Sequence, residues 1–426
     1  MTLTLSHMGE IRGAGSPNYL DGAKYLKVVG NYAYIVASKN DALTIFNISN
    51  PSNPTHVGEI HGAGSPNYLD GARCVDVVGN YAYITSAYDN ALTIFNISDP
   101  ANPSHVGEIR GAGSPNYLYR PSGIKVIDNY AYIVSPSDYA LTIFDISDPT
   151  NPSHVGEIHG AGSPNYLRSC FHLDVVGNYA YVTSDSPDNA LTIFDISTPS
   201  NPTHVGEIHG AGSPNYLEDA YSINVIGNYA YITANTNNAL TIFDVSTPSN
   251  PIHIGEIYGI GSPNYLFYPM HIKVVDNYAY IVTSDDNSLT VFDISDPTNP
   301  SHVGEIHGAG SPNYLSSANG VDVVGNYAYV AAYGDDALTI FEIEGLSVCG
   351  KVDVGDKVFL LPIGNFFGNV VALKSGNAAI TDKALIASLN NQAALKLDFR
   401  NCNAKQNDKV VCVSLNGVKK NILGLR

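Results

Sequence analysis
The sequence has no tryptophan, three methionines and five cysteines in 426 residues, and only 14% of it is charged. So few cysteines exclude a disulfide-built scaffold, and their odd number leaves one unpaired within a monomer whatever the others do, so they leave the redox compartment open. No apolar run reaches the roughly 18 residues a spanning helix needs, and Met1–Ile11 lacks a basic segment followed by an apolar stretch. Neither a membrane span nor a Sec-type leader is expected, which leaves a cytosolic chain or one whose leader has been removed. Basic residues are scarce and unevenly placed. Residues 1–344 hold 10 Lys and Arg against 34 Asp and Glu, a net −24, whereas residues 345–426 hold 11 against 5, a net +6. A body that acidic repels phosphate backbones and anionic lipid, which argues against nucleic acid as a partner. No Ser-His-Asp set, phosphate loop, dinucleotide fingerprint or zinc spacing is visible, so no enzyme class, cofactor or metal is indicated.

What the chain has in abundance is repetition. Gly-Ala-Gly-Ser-Pro-Asn-Tyr-Leu begins at Gly13, Gly62, Gly111, Gly160, Gly210 and Gly308, with a Gly-Ile-Gly variant at Gly259, so the intervals are 49, 49, 49, 50, 49 and 49. Periods of this length mark solenoids, propellers or arrays. Within one unit the pattern predicts four short strands: Arg73–Val78, Tyr81–Ser86, Ala91–Ile97 and His105–Ile109. Gly79-Asn80 suits a tight two-residue hairpin, with Asp128-Asn129 and Asp276-Asn277 as its equivalents. Asp99-Pro100-Ala101-Asn102-Pro103 breaks the ladder before the last strand. A four-stranded meander buries its two faces only against copies of itself, and seven copies set radially do so. The fold expected for residues 1–344 is therefore an all-β, seven-bladed β-propeller. The last unit stops after its third strand, Leu338–Ile343, and the chain opens with a lone fourth strand, His7–Ile11, so the N-terminal strand is expected to close the ring.

Comparing the seven copies with one another separates scaffold from variation. One position of the first strand reads Lys27, Asp76, Lys125, Asp174, Asn224, Lys273 and Asp322. The signs alternate, the neutral Asn224 stands where an odd-numbered ring would force like charges together, and Asp322 is expected to meet Lys27 at the seam. Inter-blade ion pairing near the channel accounts for this, because unpaired part-buried charge is costly. Each fourth strand also repeats a Glu with a basic residue two positions on, as in Glu59/His61, Glu108/Arg110 and Glu157/His159, a recurrence that suits scaffold pairing. The repeated loop supplies Tyr19, Tyr68, Tyr117, Tyr166, Tyr216, Tyr265 and Tyr314, either as wedges between blades or as seven equivalent binding points.

The copies diverge in two segments, the one after Asn-Tyr-Leu and the one between the second and third strands, which in a meander emerge on the same face. That variable mouth offers Lys24, Tyr25, Arg73, Tyr119, Arg120, Arg168, His172, Glu218, Asp219, Tyr221, Phe267, Tyr268 and His271. Aromatic and Arg anchors mixed with carboxylates suit a glycan or a protein epitope. His172, His271 and Cys74 share one strand position, but a metal needs three or four convergent ligands, and Gly123, Ser222 and Gly320 hold that position elsewhere.

The stretch Asn80-Tyr-Ala-Tyr-Ile followed by Leu92-Thr-Ile-Phe-Asn-Ile-Ser-Asp-Pro-Ala-Asn-Pro resembles the LVIVD repeat. That resemblance covers about residues 1–344 and implies a propeller, an extracellular or particle-surface location, and no catalytic motif; the inserted Gly-Ala-Gly-Ser-Pro-Asn-Tyr-Leu loop departs from its pattern.

Residues 345–426 form a second, basic unit. Gly355-Asp356-Lys357-Val358, Thr381-Asp382-Lys383-Ala384 and Asn407-Asp408-Lys409-Val410 recur every 26 residues, each ahead of an apolar segment and a turn at Gly364-Asn365, Asn390-Asn391 or Asn416-Gly417. Three β-hairpin repeats making a small β domain are expected. Cys402 and Cys412 flank one hairpin and are candidates for a disulfide, which would leave Cys349 free. Attached to a −24 body, a +6 module suits self-association by docking on a propeller. The leading expectation is a non-enzymatic recognition or adhesion protein. A structural subunit of a filament, sheath or virion and an enzyme with an unrecognised mouth site are the alternatives.

Overall fold
The computed structural model describes residues 2–345 in full, and beyond them the backbone of four short strands. Chain contacts divide the molecule into residues 1–344 and residues 345–426. The first unit is seven antiparallel four-stranded sheets, with no helix among its described residues. In the second blade the strands are Ala72–Val78, Tyr81–Ser86, Ala91–Asn96 and Ser104–Arg110, within two residues of the sequence expectation at every boundary. The third strand is buried on both faces in every blade, and its phenylalanine (Phe46, Phe95, Phe144, Phe194, Phe243, Phe292, Phe341) is fully buried. Each such ring contributes about 2–3 kcal/mol of burial energy. Core clusters bridge neighbouring blades rather than sitting inside one, as where Leu26 and Phe46 pack with Tyr329 and Ile340. The tight turns are those expected: Gly79 sits at φ +59°, and Asp128 and Asp276 adopt the same left-handed geometry at +52° and +54°.

The ring closes as the sequence implies. The N-terminal strand Thr4–Arg12 lies antiparallel to Ala337–Glu344, pairing Thr4 with Glu344 and Arg12 with Ala337, and completes the seventh blade. Outer-strand glycines press each blade on the next. A Cβ on Gly58 would stand 2.4 Å from the Pro100 carbonyl oxygen, and one on Gly9 would stand 2.5 Å from that of Pro51, so the same contact recurs across the seam.

The outer strands correct one expectation. The repeated Glu faces a His three residues earlier, with His56 Nε2 2.9 Å from Glu59 and His105 Nε2 3.1 Å from Glu108, not the basic residue two positions on. The cause is a bulge: Phe46 pairs with His56 and Ile45 with Gly58, so Val57 is an extra residue that turns His56 onto the face of Glu59. His61 and Arg110 instead meet the repeated tyrosines of the loops.

In residues 345–426 two antiparallel pairs are described, Ala384–Ala387 with Leu395–Asp398 and Val410–Leu415 with Val418–Leu423. They flank the second and third expected turns. The first expected hairpin, the packing of the three, and the Cys349, Cys402 and Cys412 sulfurs lie outside the described residues.

Candidate functional site
Both variable segments of a blade lie together on one face. Ala87 N donates to the Gly71 carbonyl and Tyr88 N to that of Asp70, and equivalent bonds join Ser38 to Gly22 and Asn235 to Asp219. One side chain staples the two segments in each blade: Asp89 Oδ2 accepts from Gly64 N at 3.1 Å and Asp70 N at 2.8 Å. Asn40, Asp138, Asp188, Asn237, Asp286 and Asp335 do the same work. These staples are absent from the sequence-derived set, yet their signal was present: within the variable loop, this one position is always Asp or Asn.

The repeated tyrosines form a belt around the rim. Tyr19 stacks on His61 with ring centroids 4.6 Å apart, Tyr117 on His159 at 4.8 Å, Tyr166 on His209 at 4.9 Å, Tyr216 on Tyr258 at 5.3 Å and Tyr265 on His307 at 4.8 Å. Arg110 lies 4.0 Å over Tyr68, and Arg12 lies 4.0 Å over Tyr314, which carries the belt across the seam. Each loop thus rests on the root of the next, and the Ser-Pro tips are exposed.

Three tiers of side chains come from the innermost strands. The lowest is the charge ring. Lys27 Nζ lies 3.2 Å from Asp76, Lys125 2.9 Å from Asp174 and Lys273 2.9 Å from Asp322. Every Asp also accepts backbone N–H groups, Asp76 from Val77 at 3.0 Å and from Val126 of the next blade at 2.9 Å. Asn224 donates to Asp174 at 3.0 Å and accepts from Val274 N at 2.7 Å, filling an acid's place without its charge. The seam corrects one expectation: Asp322 pairs with Lys273 and gives its other oxygen to Val28 N at 2.9 Å, so the Lys27 ammonium takes Asp76 of the next blade instead of Asp322. Burial pulls that ammonium down, and the Asp76 and Asp322 carboxylates more than restore it, leaving it above its ordinary value.

Two residues up the strand, the middle tier reads Tyr25, Cys74, Gly123, His172, Ser222, His271, Gly320. Its three large members come from blades one, four and six and meet across the channel: ring centroids are 4.7 Å apart for Tyr25 and His271, 5.8 Å for His172 and His271, and 6.0 Å for Tyr25 and His172. The small members make room for them. A Cβ on Gly123 would stand 3.0 Å from His172 Cα, and one on Gly320 3.1 Å from Tyr25 Cα. This plug is uncharged at neutral pH. Burial drives the His172 imidazole well below its usual range and that of His271 to about 3, while the Cys74 thiol is pushed up to about 12 and the Tyr25 phenol well above its ordinary value. Among the described residues no three His, Cys, Asp or Glu side chains are grouped to hold a metal ion.

The upper tier is made by bulges. Ala23 and Tyr25 pair with consecutive residues of the second strand, as do Ala72 and Cys74, so Lys24 and Arg73 are extra residues turned out of the alternation at the channel mouth. Phe171, Met270 and Asn319 hold the same position, and a bulge before Ile223 releases Tyr221. Tyr221 stands 5.0 Å from His172 and 5.4 Å from Phe171. Lys24, Tyr25, Arg73, His172, Tyr221 and His271 of the sequence-derived set are therefore brought together. Phe171 was missed, since only the bulge reveals its placement.

The others spread over the rim. Tyr119, Phe267 and Tyr268 are exposed; Arg120 lies 5.5 Å over Tyr88 and Arg168 5.9 Å over Tyr139. Glu218 contacts Asn237, and Asp219 hydrogen-bonds Asp185 and Thr236. Burial and the Asp219 hydrogen bond raise the Asp185 carboxyl to about 7, while the same bond lowers the Asp219 carboxyl, so the two titrate as a pair.

The fold and this plugged channel define a β-propeller protein with one individualised mouth on a repetitive scaffold. LVIVD repeats match residues 22–61, 71–110, 121–159, 169–209, 218–258, 268–307 and 316–347, and the chain belongs to that family. No curated protein matches the sequence. Among solved structures, a functionally unknown protein from Desulfotomaculum acetoxidans is similar over 82% of this chain and 100% of its own, at 15% identity and a TM-score of 0.56. A protein from Lactobacillus plantarum is similar over 66% and 87%, at 13% and 0.55. Hydrazine synthase from Kuenenia stuttgartiensis is similar over 78% and 98%, at 14% and 0.57. At these identities the likeness is one of fold. No helix among the described residues is long and apolar enough to cross a membrane.

Proposed function
We propose that this is a non-enzymatic recognition protein that binds a glycan at the variable mouth of the propeller, on a cell or particle surface. The observation that carries this reading is the convergence of Lys24, Arg73, Tyr221 and His172 above the Tyr25 plug, on the face where both divergent segments of every blade emerge. Aromatic faces beside cations suit the apolar faces and hydroxyls of a sugar, and bulged strands of a rigid ring hold them preorganised. The histidines there are neutral and hemmed in, His271 by the Val321 backbone, which suits binding better than proton transfer. A protein epitope is the second reading, favoured by exposed Tyr119, Phe267 and Tyr268 on the same face. A glycan array with the full chain tests the first, beside an Arg73→Ser/Tyr221→Ser variant that copies Ser122 of the third blade. Hits lost in the variant at unchanged melting temperature are expected. No hits across a broad panel, or hits indifferent to the substitutions, would overturn it.

A further inference from the structure
The ten cations of residues 1–344 can be followed one by one. Lys27, Lys125 and Lys273 pair in the charge ring, and Lys39 pairs with Asp21 at 3.0 Å. Arg12, Arg110, Arg120 and Arg168 lie over tyrosine rings. Lys24 and Arg73 have neither an ion pair nor a ring beneath them among the described residues, in a unit where acids outnumber bases more than threefold. They are the bulged residues of neighbouring inner strands, half-buried at the mouth, and the Arg73 guanidinium lies close enough to repel the Lys24 ammonium. Two adjacent part-buried cations without a counter-charge are a costly arrangement for a scaffold and a serviceable one for a ligand.

Resting on the mouth-binding reading above, we infer that the ligand presents a single carboxylate, held between the Lys24 ammonium and the Arg73 guanidinium, with its body lying against Tyr221 and His172. A guanidinium grips a carboxylate through two parallel N–H donors, and the lysine adds a point charge. The surrounding −24 field repels polyanions, so one carboxylate on an otherwise neutral body fits better than a sulfated or phosphorylated polymer.

The electrostatics supply a second handle. Burial, with the Arg73 guanidinium beside it, brings the Lys24 ammonium down to about 8. The titratable groups facing it are Arg73 and Cys74 from the second blade and His172 from the fourth; the seventh blade offers only Asn319 and Gly320 at these tiers. Carboxylate binding therefore weakens as pH rises through 8.

Calorimetric titration of the full chain tests this with glucuronate against glucose and benzoate against benzyl alcohol. Each acid is expected to bind at pH 7 about tenfold or more tightly than its neutral counterpart, to lose about tenfold or more in Arg73→Ser and in Lys24→Ser, and to weaken above pH 8. In Arg73→Ser the residual pH effect moves upward, because Lys24 loses its repelling neighbour. Glucuronate binding better than benzoate identifies a terminal acidic sugar; the reverse identifies a free aromatic acid. Equal affinity for acid and neutral partner, with binding still lost in Tyr221→Ser, overturns the carboxylate and leaves mouth recognition standing. Acid binding that is undiminished in the double Lys24→Ser/Arg73→Ser variant, or no saturable acid binding, also overturns it.

Discussion
Among residues, those that touch the next blade govern stability. Gly107→Ala places a methyl 2.4 Å from the Pro149 carbonyl oxygen, a backbone atom that cannot step aside, and should cost about 2 kcal/mol or more in denaturant unfolding. Asp76 offers a graded test. Asp76→Ala strands the Val77 and Val126 N–H groups and Lys27, and should cost about 3 kcal/mol, whereas Asp76→Asn keeps an acceptor, as Asn224 does, and should cost nearer 1 kcal/mol. The Asp185–Asp219 pair gives a pH signature. Because folding raises the Asp185 pKa to about 7 from its ordinary 3.8, the folded state holds the extra proton between those values, and stability falls as pH rises through that window. Asp185→Asn should flatten that slope and raise the melting temperature at pH 8; an unchanged slope would contradict a raised Asp185 carboxyl. The charge ring was legible in sequence because the copies can be aligned and their signs alternate. The Tyr25, His172 and His271 plug was not, because it depends on size complementarity across a channel between residues about 100 to 250 positions apart in sequence.

At the level of strands, boundaries are legible in the sequence and bulges are not. Alternation and turn residues mark where a strand begins and ends, but a bulge adds one residue without changing composition. The extra Val57 moves the partner of Glu59 from His61 to His56, and separate bulges on the inner strands turn Lys24 and Arg73 toward the mouth. The closing strand Thr4–Arg12 was legible because the unit count left one fourth strand at the front and one vacancy at the back. Deleting residues 2–12 should leave Ala337–Glu344 as a bare edge and lower and broaden the melting of the propeller, with association visible by light scattering. A deletion variant that melts like the full chain would contradict closure.

For the whole molecule, seven near-identical blades solve a packing problem and leave function to the positions where they differ. The rim belt and the Asp or Asn staples use the repeated residues, and the bulged tier uses the divergent ones. Ring closure then gathers substitutions that lie 49 or 50 residues apart in sequence into one mouth. If recognition belongs to that mouth, each propeller takes one ligand; if it belongs to the repeated Ser-Pro-Asn-Tyr loops, each takes seven. Calorimetric stoichiometry of the full chain with the tightest glycan found on the array decides between them. One ligand per chain is the expected result, and a value near seven would contradict a single individualised mouth.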